Sequence, residues 1–107
     1  MNQSPPWISV VIPIKDERDN LAPLTNQLLK VLGTLEDSQG RGFELIFVDD
    51  GSTDGSGTIL DQLAQQNSEI QVLHFDRNYG QTAGFVAGFR HSRGELVVTL
   101  DLSLIHI

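Results

Sequence analysis

Apolar residues in this chain follow two patterns. Across residues 7–14, 43–48, 71–75 and 95–100 they crowd into short runs rich in valine, isoleucine and leucine, and between those runs they recur every three or four positions. Short apolar runs without alternation suit strands covered on both faces, as in a parallel sheet. The spaced positions suit helices that turn one stripe toward a core. The first run, 7–14, predicts a buried strand that ends near Pro13. Leu21, Leu24, Leu28, Leu32 and Leu35 form the first helical stripe, for which Asn20 is the expected N-cap. Residues 36–42 read as a polar connector to the second strand, 43–48. Asp54 or Ser56 is expected to cap a second helix that presents Ile59, Leu60, Leu63 and Ala64 to the sheet. A third strand over 71–75, a third helix over 82–92 and a fourth strand over 95–100 complete the order. Alternation of strand and helix predicts an α/β fold, a parallel sheet with helices on both faces.

The polar punctuation is as informative as the runs. The second strand ends in Asp49 and Asp50, followed by Gly51-Ser52-Thr53-Asp54-Gly55-Ser56; Asp16 and Glu17 follow the first strand and Asp101 the fourth. In open α/β sheets, ligands bind beyond the carboxyl ends of the strands. Parallel strands bring those ends to one edge, so five carboxylates are expected to converge there. Like charges that close repel one another unless a cation or hydrogen-bond donors are present. Convergence therefore predicts a divalent ion, and an all-oxygen ligand set suits Mg²⁺ or Mn²⁺. Asp54 is expected to act as a helix cap rather than a ligand. Gly80, Gly84 and Gly88 recur every four residues and give the third helix a smooth face for close packing.

Composition narrows the partners. The 107 residues fit one domain, and the net charge of −7, with Lys15, Lys30 and five arginines as the cations, disfavours nucleic acid and anionic lipid surfaces. Cysteine is absent, which excludes disulfides and thiolate metal sites. His74, His91 and His106 show no metal-site spacing. Neither a signal peptide nor a membrane-spanning stretch is visible, so a cytoplasmic face is the default expectation.

Two other readings of the acids exist. Asp50, Ser52, Asp54, Gly55 and Asp61 occupy positions 1, 3, 5, 6 and 12 of an EF-hand-like calcium loop. That loop needs a preceding helix, whereas FELIFV is strand-like. A Mg²⁺-binding receiver-like domain would carry its acids after the first strand. A dinucleotide fold lacks its glycine spacing here.

Four segments in order, PIKDERDN (13–20), VDDGSTDGS (48–56), RNYGQ (77–81) and VVTLD (97–101), resemble family 2 glycosyltransferases of GT-A, Rossmann-like fold. Within that family the chain looks most like the polyprenyl-phosphate branch, the dolichol-phosphate mannosyltransferase and undecaprenyl-phosphate sugar transferase type. The resemblance implies transfer of a sugar, with inversion, from a nucleotide-sugar donor to a polyprenyl (dolichyl or undecaprenyl) phosphate. It places Pro13, Lys15 and Glu17 on the base and ribose, and Asp50, supported by Val48 and Gly51, on the base edge. Arg77 is implied beside the donor diphosphate, with an ion pair to Asp76 as the structural alternative. Asp101 matches the first acid of the metal-binding Asp-x-Asp, and the second position holds Ser103. No catalytic base is assigned, because the acceptor phosphate is already largely ionised.

The last six residues, Leu-Ser-Leu-Ile-His-Ile, can be back-translated into codons that resemble a transposon end used in sequencing libraries. Residues 102–107 are therefore expected to be a non-native scar, and 1–101 the nucleotide-sugar-binding half of the domain. On that reading the chain alone transfers no sugar. The whole protein is expected on the cytoplasmic side of a membrane, attached through a C-terminal region absent here.

Overall fold

The computed structural model describes residues 5–35 and 40–101. The proposed scar at 102–107, with Ser103 and His106, lies outside the described residues, as does part of the 36–42 connector. Four strands, β1 (Ile8–Ile14), β2 (Phe43–Asp49), β3 (Ile70–His74) and β4 (Leu96–Thr99), alternate with three helices, α1 (Arg18–Leu32), α2 (Ser56–Gln66) and α3 (Gln81–His91). All strand pairs are parallel, in the order β3-β2-β1-β4.

The two unbroken apolar runs became the two central strands. Every residue of β1 is buried, and β2 is buried from Glu44 onward. Alternate side chains of a strand leave by opposite faces, and each face here has its own core. Val10, Ile12 and Ile14 of β1 join Leu45 and Phe47 of β2 beneath Leu21, Leu24, Leu60 and Leu63 of α1 and α2. On the other face Val11, Ile46 and Val48 pack with Phe85 of α3. Helices thus cover both faces, as the sequence predicts. The glycine face of α3 lies on the sheet: a Cβ at Gly84 would stand 2.9 Å from Pro13 Cβ, and one at Gly88 would run into Val11 Cγ1.

Predicted boundaries shift by one residue at the strands and at α3. Three predictions need a larger correction. Leu35 lies beyond α1, which ends at Leu32, and the N-cap position of α2 is held by Gly55, with Asp54 before it and Ser56 as the first helical residue. Asn20 is not the N-cap of α1, which begins at Arg18; Asn20 sits inside the first turn and donates from Nδ2 to Glu17 Oε2 at 2.9 Å. The Glu17 and Arg18 amides at this helix start are met by side chains of Ser56 and Asp54, from the segment where α2 begins. Pro23 is the sixth residue of the helix, past its first turn, and so removes the amide that would otherwise bond to the carbonyl four residues before it.

Chain connection fixes where a ligand fits. From β1 the chain steps outward through β2 to β3, then crosses back over α3 to the far side of β1. The direction of winding reverses between β1 and β4. Such a switch point opens a crevice at the carboxyl ends of the strands.

Candidate functional site: a cleft at the strand ends

A cleft of about 320 Å³ opens at that switch point. Pro13, Ile14, Lys15 and Glu17 line it from the end of β1, Asp50 from the end of β2, and Asp101 from beyond β4. Asn78, Gly80 and Gln81 line it from the loop that enters α3. Three acidic residues and one lysine therefore border a common space. Lys15 Nζ is also paired with Asp16 Oδ2 at 3.0 Å.

Asp50 is buried, and its charge is met by backbone amides. Tyr79 N donates to Oδ1 at 2.7 Å and Gly80 N to Oδ2 at 3.0 Å. Its own amide donates to Ile14 O at 2.9 Å, which ties β2 to the end of β1. Each carboxylate oxygen keeps acceptor capacity beyond the one amide it receives. Glu17 donates from its backbone to Ser56 Oγ at 3.0 Å, and its side chain accepts from Asn20.

Two of the five acids expected to converge do not. Asp49 lies on the opposite side of the strand from Asp50, where it accepts from Ser52 N at 3.0 Å and meets His74 Nδ1 at 3.1 Å. Asp16 turns into the β2–α2 loop, accepting from Thr53 N at 2.8 Å. That bond and the Lys15 ammonium hold the Asp16 carboxyl below its ordinary range. Among the described residues no three acids or histidines stand close enough to hold a metal by themselves.

Other anticipated residues support the cleft without lining it. Val48 is fully buried under α3. Gly51 adopts φ +74°, and a Cβ there would lie 2.5 Å from Arg77 C and 2.6 Å from Asn78 N, so the strand-end turn admits the 77–80 loop only as glycine. Arg77 lies over the Tyr79 ring at 5.1 Å, while Asp76 accepts from the Tyr79 hydroxyl at 2.8 Å. Asn78 and Gln81 went unnoticed as cleft residues, although both fall in the RNYGQ segment.

The calcium-loop alternative is contradicted. A strand, not a helix, precedes Asp50. Asp54 is turned to Arg18 N and Ser56, and Asp61 to His74 Nε2 at 2.7 Å, so the acids point to separate partners.

Comparison with known proteins agrees with this geometry. Residues 9–105 match the model of Glycosyl transferase family 2. The chain belongs to that family. It is 41% identical over 99 residues to the undecaprenyl-phosphate 4-deoxy-4-formamido-L-arabinose transferase of Edwardsiella ictaluri, covering 92% of this chain and 29% of that protein. The enzyme of the same name from Shewanella sediminis is 38% identical over 104 residues, covering 96% of this chain and 30% of its own length. The chain thus spans less than a third of these relatives. Among solved structures, the mannosyltransferase PcManGT from Pyrobaculum calidifontis, in complex with GDP-Man and Mn²⁺, superposes with a TM-score of 0.73 at 20% identity, covering 92% of this chain and 28% of that one. S. aureus TarS in complex with UDP gives a TM-score of 0.71 at 25% identity, covering 89% and 27%. The family 2 chain therefore has the GT-A fold that its sequence motifs imply.

Proposed function

We propose that this chain forms the nucleotide-sugar-binding part of an inverting glycosyltransferase that passes a sugar to a polyprenyl phosphate. One observation carries the reading: Glu17, Asp50 and Asp101, from three different strand ends, line a single cleft at the switch point. Likeness to transferases named for undecaprenyl phosphate supports the lipid acceptor, and likeness to a UDP-bound structure supports a nucleotide donor.

In this scheme Pro13 and Lys15 pack against the nucleoside, and Glu17 accepts from a ribose hydroxyl. Asp50, fixed by two backbone amides, turns its remaining lone pairs to a base N–H. Asn78 and Gln81 offer amide donors to the diphosphate side. The cleft's three carboxylates would repel a diphosphate alone, so the site favours a donor that arrives with a cation. Asp101 supplies a hard oxygen ligand, and Mg²⁺ or Mn²⁺ commonly takes only one or two carboxylates and completes its shell with phosphate oxygens and water. The residues present therefore fit an ion shared with the donor rather than one caged by protein. Once bound, such an ion stabilises the negative charge that grows on the leaving diphosphate. The acceptor phosphate needs little activation, since its second pKa is about 6. Among the described residues no helix is long and apolar enough to cross a membrane. Attachment to the cytoplasmic side, through the part of the protein outside this chain, is part of the proposal.

Calorimetric titration of the chain with UDP and GDP, in Mn²⁺ and then in chelator, tests the reading. Binding of one nucleotide, weakened by chelator and by Glu17→Ala, is the expected result. No binding of either nucleotide, or binding indifferent to Glu17 and the ion, would falsify it.

A further inference from the structure

We propose that Asp54 is a positioning residue for the donor cleft, bracing the 15–18 loop by capping two helices at once. The assignment rests on the donor-binding reading above. Amides at the start of a helix have no partner within it. At the start of α1 and in the loop just before it, three successive amides are received by side chains of the β2–α2 segment. Asp16 N donates to Ser52 Oγ at 2.9 Å, Glu17 N to Ser56 Oγ at 3.0 Å, and Arg18 N to Asp54 Oδ2 at 3.2 Å. The other Asp54 oxygen serves α2: Ser56 N donates to Oδ1 at 3.0 Å, and the Ser56 hydroxyl donates to it at 2.5 Å.

The hydroxyl links the two roles. A serine hydroxyl has one proton, and here it is given to Asp54, which leaves a lone pair for the Glu17 amide. Asp54 therefore governs Arg18 N directly and Glu17 N through Ser56. Arg18 Nη1 closes the brace by donating to Asp54 O at 3.2 Å. Lys15 and Glu17, which line the cleft, flank Asp16 in this loop, and Asp16 adopts φ +54°. That left-handed conformation is uncommon for a non-glycine residue and persists where surrounding bonds hold it. Asp54 itself is not among the cleft-lining residues. A cap acting only on its own helix would stabilise α2 and leave Glu17 untouched; this one reaches the donor site through the other helix.

The test uses the 107-residue chain and its variants Asp54→Ala, Asp54→Asn, Glu17→Ala and the double variant Asp54→Ala/Glu17→Ala. Amide hydrogen exchange is measured without ligand, and UDP and GDP are titrated with Mn²⁺ below each unfolding midpoint. In Asp54→Ala, exchange at Glu17 and Arg18 should rise by about three- to tenfold, matching the loss of a cap, while β1 and β2 amides keep their rates relative to one another. Nucleotide affinity should fall by a similar factor, and in the Glu17→Ala background the same substitution should add less than about twofold. Asp54→Asn, which keeps an acceptor for Ser56 but not for both helices, should fall between. Unchanged exchange at Glu17 and Arg18 overturns the proposal, as does an equal affinity loss with and without Glu17. Failure of the wild-type chain to bind either nucleotide overturns the donor reading and this residue's link to it. The exchange measurement still decides whether Asp54 holds the loop.

Discussion

The Gly80 amide donates to Asp50 Oδ2 at 3.0 Å, so the carboxylate at the end of β2 sits at the N-terminus of α3. Gly80 is the N-cap of that helix, with no side chain to cap it, and its amide is shared between Asp50 Oδ2, from across the sheet edge, and Asn78 Oδ1, also at 3.0 Å. A negative charge in this place is favoured by the helix dipole. One group thereby shapes the cleft wall and faces the cleft.

Replacing Asp50 should separate these roles. Asp50→Ala leaves the Tyr79 amide without its acceptor and the Gly80 amide with only Asn78 Oδ1, at 3.0 Å, and we expect a loss of about 1–3 kcal/mol in urea unfolding. Asp50→Asn retains one acceptor oxygen and should cost about half as much. If Asp50 also reads the base edge, Asp50→Asn should remain folded and still lower UDP or GDP affinity by about tenfold or more. Native-like affinity in the folded asparagine variant would confine Asp50 to holding the loop.

Gly51 sets how closely two chain segments approach. Its φ of +74° disfavours any side chain, and the atoms a Cβ would meet belong to the Arg77–Asn78 backbone, which cannot swing aside. We expect Gly51→Ala to cost about 2–4 kcal/mol and to weaken nucleotide binding, because Asn78 moves with its loop. Gly42→Ala is the control: a Cβ there meets nothing within 4 Å, and its stability should stay within about 0.5 kcal/mol. Thermal unfolding of both variants checks the contrast.

These cases show what the sequence could and could not reveal. Both central strands were legible because residues 7–14 and 43–48 lack alternation, and only strands buried on two faces tolerate that. The edge strands were displaced by a residue because β3 and β4 are only partly buried, so their ends carry little apolar signal. Placing acids after strands located Glu17, Asp50 and Asp101 at one rim. It could not say that Asp49 would turn away, although a strand sends neighbouring side chains to opposite faces. The cap of α1 was hidden for another reason. Arg18 N finds its acceptor 36 residues further along the chain, and local patterns register only nearby partners.

Glu44 is buried like Asp49 and Asp50, but its partners belong to the fold rather than to the cleft. It lies near the start of β2, at the opposite end of the sheet from the cleft. There it accepts from Ser9 Oγ at 2.6 Å, Arg93 N at 2.7 Å and Arg93 Nε at 3.3 Å. Ser9 Oγ in turn accepts from Gly94 N at 2.8 Å, so one carboxylate anchors the α3–β4 connection. Glu44→Ala leaves the Arg93 amide and the Ser9 hydroxyl without this acceptor. We expect a loss of about 2–4 kcal/mol. Nucleotide affinity, measured below the lowered unfolding midpoint, should be unchanged. A matched loss of affinity would show that the two ends of the sheet are coupled.

His74 gives the chain a pH dependence whose sign can be worked out. Its Nε2 lies 2.7 Å from Asp61 Oδ1 and its Nδ1 3.1 Å from Asp49 Oδ2, so both contacts are hydrogen bonds only when both nitrogens carry protons. Asp61 first, and Asp49 after it, raise the His74 pKa above its ordinary 6.5, against the opposing pull of burial. A raised folded-state pKa means that the stabilisation is fully present below the unfolded value and disappears as pH rises through the folded value. The side chain is 41% exposed, so solvent screens the effect and the change should be modest. We expect the unfolding midpoint in urea to fall as pH rises above the ordinary histidine value of 6.5, and His74→Gln to remove most of that fall. Asp61→Asn should bring the His74 titration, followed by the imidazole proton in NMR, back toward 6.5. A wild-type His74 that titrates at or below its ordinary value would mean that this bridge between α2 and the ends of β2 and β3 does not form in solution.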